Sequence, residues 1–293
     1  HPALLAILTL LAKPGQVILS ENITYPGIRS IAAQLRLSMC GLPMDEHGIL
    51  PDALAHACAT RSPKALYLNP TLQNPTTLTI PVQRREEICA VARKFPLPII
   101  EDDAYGFIPL HAPPPLASMA PDLTWHIGGL AKCIGAGLRL AFVVAPDTKS
   151  AWPFGAAMRA NTVMASPLNT ALATRWIEDG TADMILRFIR KETEARQQIV
   201  ASHLRTAAYR ADPLSFNIWL PLSEGWTRST FASHMRHTGL GIVASDAFTV
   251  EPQPQETVRI CIGGPITREK LHHSLEFMAH ALEATPEMAG SFF

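Results

Sequence analysis

Apolar residues recur at helical spacing over residues 3–12, and the run closes at Lys13-Pro14-Gly15, a helix stop. A short apolar stretch at 16–21 has strand length, and the turn Tyr25-Pro26-Gly27 feeds a second helix through about residue 35. The alternation then repeats. The pattern predicts strands at 37–43, 65–69 and 97–102, with helices at 51–60 and 81–95, the latter with proline at its start. Strands alternating with helices require crossovers, which implies an α/β fold with a mostly parallel sheet and helices on both faces. Ligands of such sheets bind at the carboxyl ends of the strands. The polar punctuation falls there: Asn69 to Thr76 follows one strand, Glu101 to Gly106 the next, and Gly129 to Lys132 a third.

After Pro146 the pattern changes. Helical periodicity dominates 168–208, and its charged part, 187–196, mixes signs as a solvated helix face does. Short strands are expected at 216–220, 241–244 and 258–262, with helices at 228–237 and 267–282. We therefore expect a large domain over 1–160 and a smaller C-terminal α+β domain over 161–293. His111 to Pro115 reads as an extended surface loop, and the residues from Pro286 on are expected to fray.

Composition narrows the function classes. A chain of 293 residues with 47% hydrophobic residues can bury a sizeable core, and 25 basic residues balance 25 acidic ones. Nothing in that balance argues for a nucleic-acid or acidic-membrane surface in this portion, so small molecules or a second copy are the expected partners. The five cysteines, Cys40, Cys58, Cys89, Cys133 and Cys261, show no paired spacing, which favours a reducing cytoplasm. The longest apolar stretch is too short to span a bilayer. The chain opens on His1-Pro2 inside what reads as a buried helix, so an N-terminal part is expected upstream.

One stretch, Trp125 to Pro146, places Lys132 between two strand-like apolar runs, with Gly135 and Gly137 expected to turn the backbone before Arg139. A lysine withdrawn from water loses proton affinity and becomes a nucleophile; the competing reading is a surface lysine in a hairpin loop. A reactive lysine, an aspartate and polar groups at strand ends are what pyridoxal phosphate needs. In order along the chain stand Q-N-P-T, D-D-A-Y-G, the lysine followed by G-L-R, and V-R-I. With these motifs the chain resembles the class I/II aminotransferases of fold type I.

The resemblance implies roles residue by residue. Lys132 corresponds to the Schiff-base lysine, Asp102 to the partner of the pyridine nitrogen and Tyr105 to the hydroxyl facing the ring's phenolic oxygen. Asn74 corresponds to a second donor to that oxygen, Tyr25 to the stacking aromatic, Arg139 to the phosphate-binding arginine and Arg259 to the arginine that forks onto a substrate carboxylate. Alternatives remain beside them. Asp103 competes with Asp102, Tyr25 with plain turn packing, and Arg259 with an internal salt bridge. Asn69, Gln73, Trp125 and His126 read as structural, Glu101 as a supporting or strand residue, and Cys133 as a small buried filler. The chain departs from the family where hydroxyls usually precede the lysine, since Gly129 and Ala131 stand there, and where Thr77 replaces the glycine after N-P-T. The family's phosphate-holding Gly/Ser-rich turn would lie upstream of His1.

Within the family, P-T-L-Q-N-P-T-T, G-L-A-K-C-I-G-A-G-L-R, I-R-K-E-T-E-A-R-Q and S-D-A-F before V-R-I-C-I-G-G are most similar to the MocR subgroup of GntR regulators. That resemblance implies a domain that senses pyridoxal 5′-phosphate or its amino-acid adducts, with DNA contacted only through an upstream winged helix-turn-helix. It also implies a homodimer. The alternative is a free-standing transaminase acting on a 2-amino acid and a 2-oxo acid; a copy without cofactor is the third reading.

Overall fold

The computed structural model describes residues 1–223 and 225–283. In chain order the first elements are α1 (Pro2–Leu11), β1 (Val17–Glu21), α2 (Pro26–Gln34), β2 (Ser38–Leu42), β3 (Met44–Asp45), β4 (Gly48–Ile49), α3 (Pro51–Arg61), β5 (Ala65–Leu68), α4 (Val82–Lys94) and β6 (Ile99–Asp103). There follow α5 (Leu116–Met119), β7 (Thr124–Gly129), β8 (Ala141–Val144), α6 (Thr148–Thr162), α7 (Pro167–Glu178) and α8 (Thr181–His203). The last are β9 (Asn217–Pro221), α9 (Arg228–His234), β10 (Gly241–Ala244), β11 (Thr257–Cys261) and α10 (Arg268–Glu283). Prolines open α1, α2 and α3, where a missing N–H costs nothing and the fixed φ suits the first turn. The chain from Pro286 on, where fraying was expected, lies outside the described residues.

Two compact units form. The first comprises His1–Gln73 and Leu78–Arg187; the second comprises Asn74–Thr77 and the chain from Phe188 on. The sequence reading set the division after residue 160, which falls inside α6.

The first unit is built on a six-stranded sheet in the order β2-β1-β5-β6-β7-β8, parallel except that β8 runs antiparallel to β7. Successive residues of its strands serve opposite faces. Leu19, Leu66, Leu68 and Ile99 pack with α3, α4 and α5, whereas Ile18, Ala65, Tyr67, Ile100 and Ile127 pack with α1 and α2. The inner strands β1, β5 and β6 are therefore covered on both sides, which is why their runs are largely apolar rather than alternating, whereas the edge strand β8 has no fully buried residue. The second unit holds the antiparallel sheet β10-β11-β9. Its core gathers Phe231, Val258, Ile260, Leu271, Leu275 and Met278.

Some elements differ from the sequence reading. Helix α6 was not expected: it contains Pro153 and Gly155 and has no fully buried residue, with only Phe154 and Met158 partly covered against the core, so its apolar stripe is too thin to read. It is started by Asp147, whose carboxylate accepts the Ser150 N–H at 2.7 Å. The long helical stretch expected over 168–208 is interrupted at Gly180, whose φ of +80° leaves the helical region, and α8 ends at His203. The small β3–β4 hairpin was too short to signal itself; Gly48, with φ +108°, turns it.

Candidate functional site

Parallel strands bring their carboxyl ends to one edge, and the polar loops of the first unit leave from it. Tyr25 follows β1, Asp102 lies at the end of β6, Tyr105 follows it, and Lys132 sits in the connection from β7 to β8. Arg139 lies before the start of β8, which returns antiparallel and so begins at the same edge. Lys132 is half-buried and belongs to the loop rather than to the strand. The tight turn before β8 runs through Ala136–Leu138, with Gly137 at its centre. Gly135 is extended, and Arg139 itself takes the left-handed conformation with φ +53°.

Asp102 is held at both its side chain and its main chain. Its Oδ2 accepts the Tyr67 hydroxyl at 2.8 Å, its backbone carbonyl accepts the Asn69 amide at 2.6 Å, and its Oδ1 accepts no hydrogen bond from the described residues. Burial raises its pKa, opposed by the Tyr67 hydrogen bond and by the positive charge of His126. Tyr25 is held above its ordinary range chiefly by burial, then by the Asp102 charge, while Arg139 acts the other way. Tyr25, Asp102 and Arg139 thus share one electrostatic neighbourhood. Asp103 lies on the other face of β6, in the field of Glu101, and one of its buried oxygens, Oδ1, has no partner among the described residues. Nearby, the Lys132 ammonium stands 5.7 Å from the centre of the Tyr105 ring, within cation–π range.

The neighbouring polar groups serve structure. Glu101 is fully buried and accepts the backbone N–H groups of Leu116 and Ala117 at 2.8 and 3.0 Å. His126 bonds Glu101 Oε2 at 3.0 Å; burial alone would lower its pKa, but that bond, with the charges of Asp103 and Asp102, leaves it raised. The Gln73 amide donates to the Ile23 carbonyl, and Cys133 is a buried filler against the Gly129 and Leu130 carbonyls. At Gly129 a Cβ would stand 3.3 Å from the Ala104 Cα, so the loss of the family's hydroxyl here accompanies a close backbone approach.

In the second unit Arg259 lies on β11, between Val243 and Trp219 on the flanking strands. Its guanidinium stacks 5.1 Å above the centre of the Phe248 ring and donates Nη1–H to Asn74 Oδ1 at 3.0 Å. No carboxylate pairs with it among the described residues, and its buried Nε has no partner there. The internal salt bridge that sequence reasoning kept open is not formed. A buried donor left unpaired at the edge of an apolar run suits an incoming anion.

Sequence reasoning passed over Tyr67, Glu21 and Arg85. Tyr67 stands in an apolar strand and reads as core, whereas its hydroxyl serves Asp102. Glu21 ends β1 fully buried, accepting the Asn69 N–H at 3.2 Å and the Thr24 hydroxyl at 3.1 Å. A carboxylate closing an apolar run was the available signal. Arg85 is fully buried and donates to the carbonyls of Ile80, Pro70 and Pro114 and to the Thr71 hydroxyl, pinning the start of the Q-N-P-T loop.

The donor set fits the ring of pyridoxal phosphate. It supplies an amine on Lys132, a buried carboxylate with one oxygen open to a protonated nitrogen, and hydroxyl groups beside them. The family model for aminotransferase class I and II matches residues 1–278. The chain belongs to the class I and II aminotransferase family. As a member of it, this aminotransferase-like chain takes pyridoxal 5′-phosphate as its cofactor. It is 30% identical over 284 residues to the uncharacterized HTH-type transcriptional regulator YdeF of Bacillus subtilis, covering 96% of this chain and 61% of that protein. It is 28% identical over 209 residues to the mitochondrial kynurenine/α-aminoadipate aminotransferase of Bos taurus, covering 64% of this chain and 49% of that one. The chain thus spans about three fifths of the length of the first of these relatives. Among solved structures, the α-aminoadipate aminotransferase of Thermus thermophilus superposes with a TM-score of 0.88 at 20% identity, covering 100% of this chain and 76% of the other. The fold is therefore that of fold type I aminotransferases. Among the described residues no helix is long and apolar enough to cross a membrane.

Proposed function

We propose that this aminotransferase-like domain is the effector-sensing part of a MocR-type regulator of the GntR family, working as a cytoplasmic homodimer. One observation carries this reading: three HTH-type transcriptional regulators match it at 27 to 30% identity, and the match to YdeF covers 96% of the chain but only 61% of that regulator. DNA contact is assigned to a separate helix-turn-helix segment and not to this domain, whose 25 basic and 25 acidic residues balance.

In this reading the side chains divide the work. The Lys132 amine would hold the cofactor. Asp102 pairs with the protonated ring nitrogen, Tyr105 and Asn74 donate to the ring oxygen, and Tyr25 covers the ring face. Arg139 neutralises the phosphate. Arg259, held by Asn74 and Phe248, takes the ligand carboxylate with two parallel N–H donors. When bound, pyridoxal phosphate supplies a carbonyl carbon for amines and an electron sink. Binding alone suffices for sensing, because the ligand needs only a different affinity for the two states of the regulator.

The test uses the intact protein carrying pyridoxal phosphate, a DNA fragment from beside its own gene and a panel of amino acids and amines. The expected result is DNA binding that changes with one ligand class, an absence of keto product, and loss of the response in Lys132→Ala. A Lys132→Ala protein that responds like the wild type sinks the proposal. The second reading, a transaminase, draws on the identity to the Bos taurus aminotransferase and on the same Lys132, Asp102, Tyr105 and Arg259. Steady keto-acid formation that Lys132→Ala abolishes would favour it.

A further inference from the structure

We propose that Tyr67 is a positioning residue for the cofactor: its hydroxyl holds the Asp102 carboxylate by Oδ2, so that Oδ1 is the oxygen offered to the ring nitrogen. The proposal rests on the reading of Asp102 as the partner of that nitrogen. Its ground is geometric. Tyr67 on β5 pairs with Ile100 on β6, which makes Asp102 its diagonal neighbour on the same face of the sheet. The Tyr67 ring is fully buried among Ile18, Ile100 and Ile127, a volume that phenylalanine would fill as well. Only the hydroxyl distinguishes the two, and it donates to Asp102 Oδ2 at 2.8 Å.

The backbone behind the carboxylate is held from a third strand. Asn69 donates its side-chain amide to the Asp102 carbonyl and its own N–H to Glu21 Oε1, whose other oxygen accepts from Thr24. With Oδ2 engaged and the main chain tied, the carboxylate has one orientation, and Oδ1 accepts nothing from the described residues. A carboxylate held by a phenol is also less basic than a free one, so Tyr67 limits how strongly Asp102 stabilises a protonated partner.

Among the described residues, the other charged or titratable groups that face Asp102 are Glu21 at the end of β1, Tyr25 in the following turn and His126 on β7. Tyr67→Phe keeps all of these side chains and removes one hydroxyl, so the difference measurement reads that hydroxyl.

The experiment compares intact wild type, Tyr67→Phe and Asp102→Asn, each carrying pyridoxal phosphate, by the pH midpoint of the bound cofactor's absorption change and by its dissociation constant. A variant with 3-fluorotyrosine placed at position 67, a stronger donor of the same shape, covers the case in which Tyr67→Phe fails to fold. Removing the donor leaves Asp102 more basic, and protonated groups facing it keep their protons to higher pH. The expected midpoint for Tyr67→Phe is raised by about one unit, with cofactor affinity about tenfold weaker. The fluorotyrosine variant shifts the midpoint downward. A purely structural role would change the stability of the cofactor-free protein and leave the midpoint where it is. Midpoints for Tyr67→Phe or the fluorotyrosine variant that coincide with wild type, while Asp102→Asn moves it, overturn the proposal and leave the Asp102 reading intact. An Asp102→Asn protein with unchanged midpoint and affinity overturns the Asp102 reading itself, and this proposal with it.

Discussion

Glu21→Gln tests the burial of a carboxyl group that no cation compensates. Glu21 is 1% exposed, and its carboxyl accepts from the Asn69 N–H and the Thr24 hydroxyl. Burial pushes its pKa from 4.5 up to about 8; the Asn69 and Thr24 hydrogen bonds oppose the rise, and the nearby Asp102 charge adds to it. The folded chain therefore keeps this proton over a range in which the unfolded chain has lost it. The stability that Glu21 contributes is complete below pH 4.5, falls as pH rises, and is lost once the pH passes about 8. At about 1.36 kcal/mol per unit, the whole fall is about 5 kcal/mol. Glutamine is a neutral isostere of the protonated acid: its oxygen accepts from Asn69 and its amide donates to the Thr24 hydroxyl. Urea unfolding of cofactor-free wild type and Glu21→Gln, followed by circular dichroism from pH 4 to pH 9, measures the difference. The two should be of similar stability at the acid end, with the variant gaining over the wild type through pH 5 to 8. Parallel pH profiles would refute the reasoning, because they would mean that Glu21 is ionised and solvated in the folded state.

Arg85→Ala should cost about 3–5 kcal/mol, because it removes the buried cation 3.7 Å from Glu101 and leaves the acceptors on Ile80, Pro70, Pro114 and Thr71 without their donor; thermal unfolding reads the loss. A drop within about 1 kcal/mol would show that water replaces the guanidinium there. Arg259→Lys should weaken binding of amino acids about tenfold, since an ammonium cannot offer the paired N–H donors, and should leave amines that lack a carboxylate unaffected. Titration of the bound cofactor's absorption with matched amino acid and amine pairs checks this; equal losses for both would remove Arg259 from carboxylate recognition.

Much of this protein was legible from periodicity. The order of strands and helices through β7, the antiparallel strands of the second unit and the edge that carries Tyr25, Asp102, Tyr105 and Lys132 follow from local apolar patterns and from the rule that parallel strands end together. What stayed hidden had weak local signals. Helix α6 has no fully buried residue, the β3–β4 hairpin is too short for a period, and Gly135 is extended where a turn was expected. The partners of polar groups were hidden for a different reason. Tyr67 meets Asp102 only because β5 and β6 lie side by side in one register, and Arg259 meets Asn74 across 185 positions of chain. By itself the sequence determined which residues carry charge and which segments must be buried, because those are properties of single residues and short windows. Only the tertiary structure decided which buried charge has a partner, since that depends on strand register and on which face of a sheet each side chain takes.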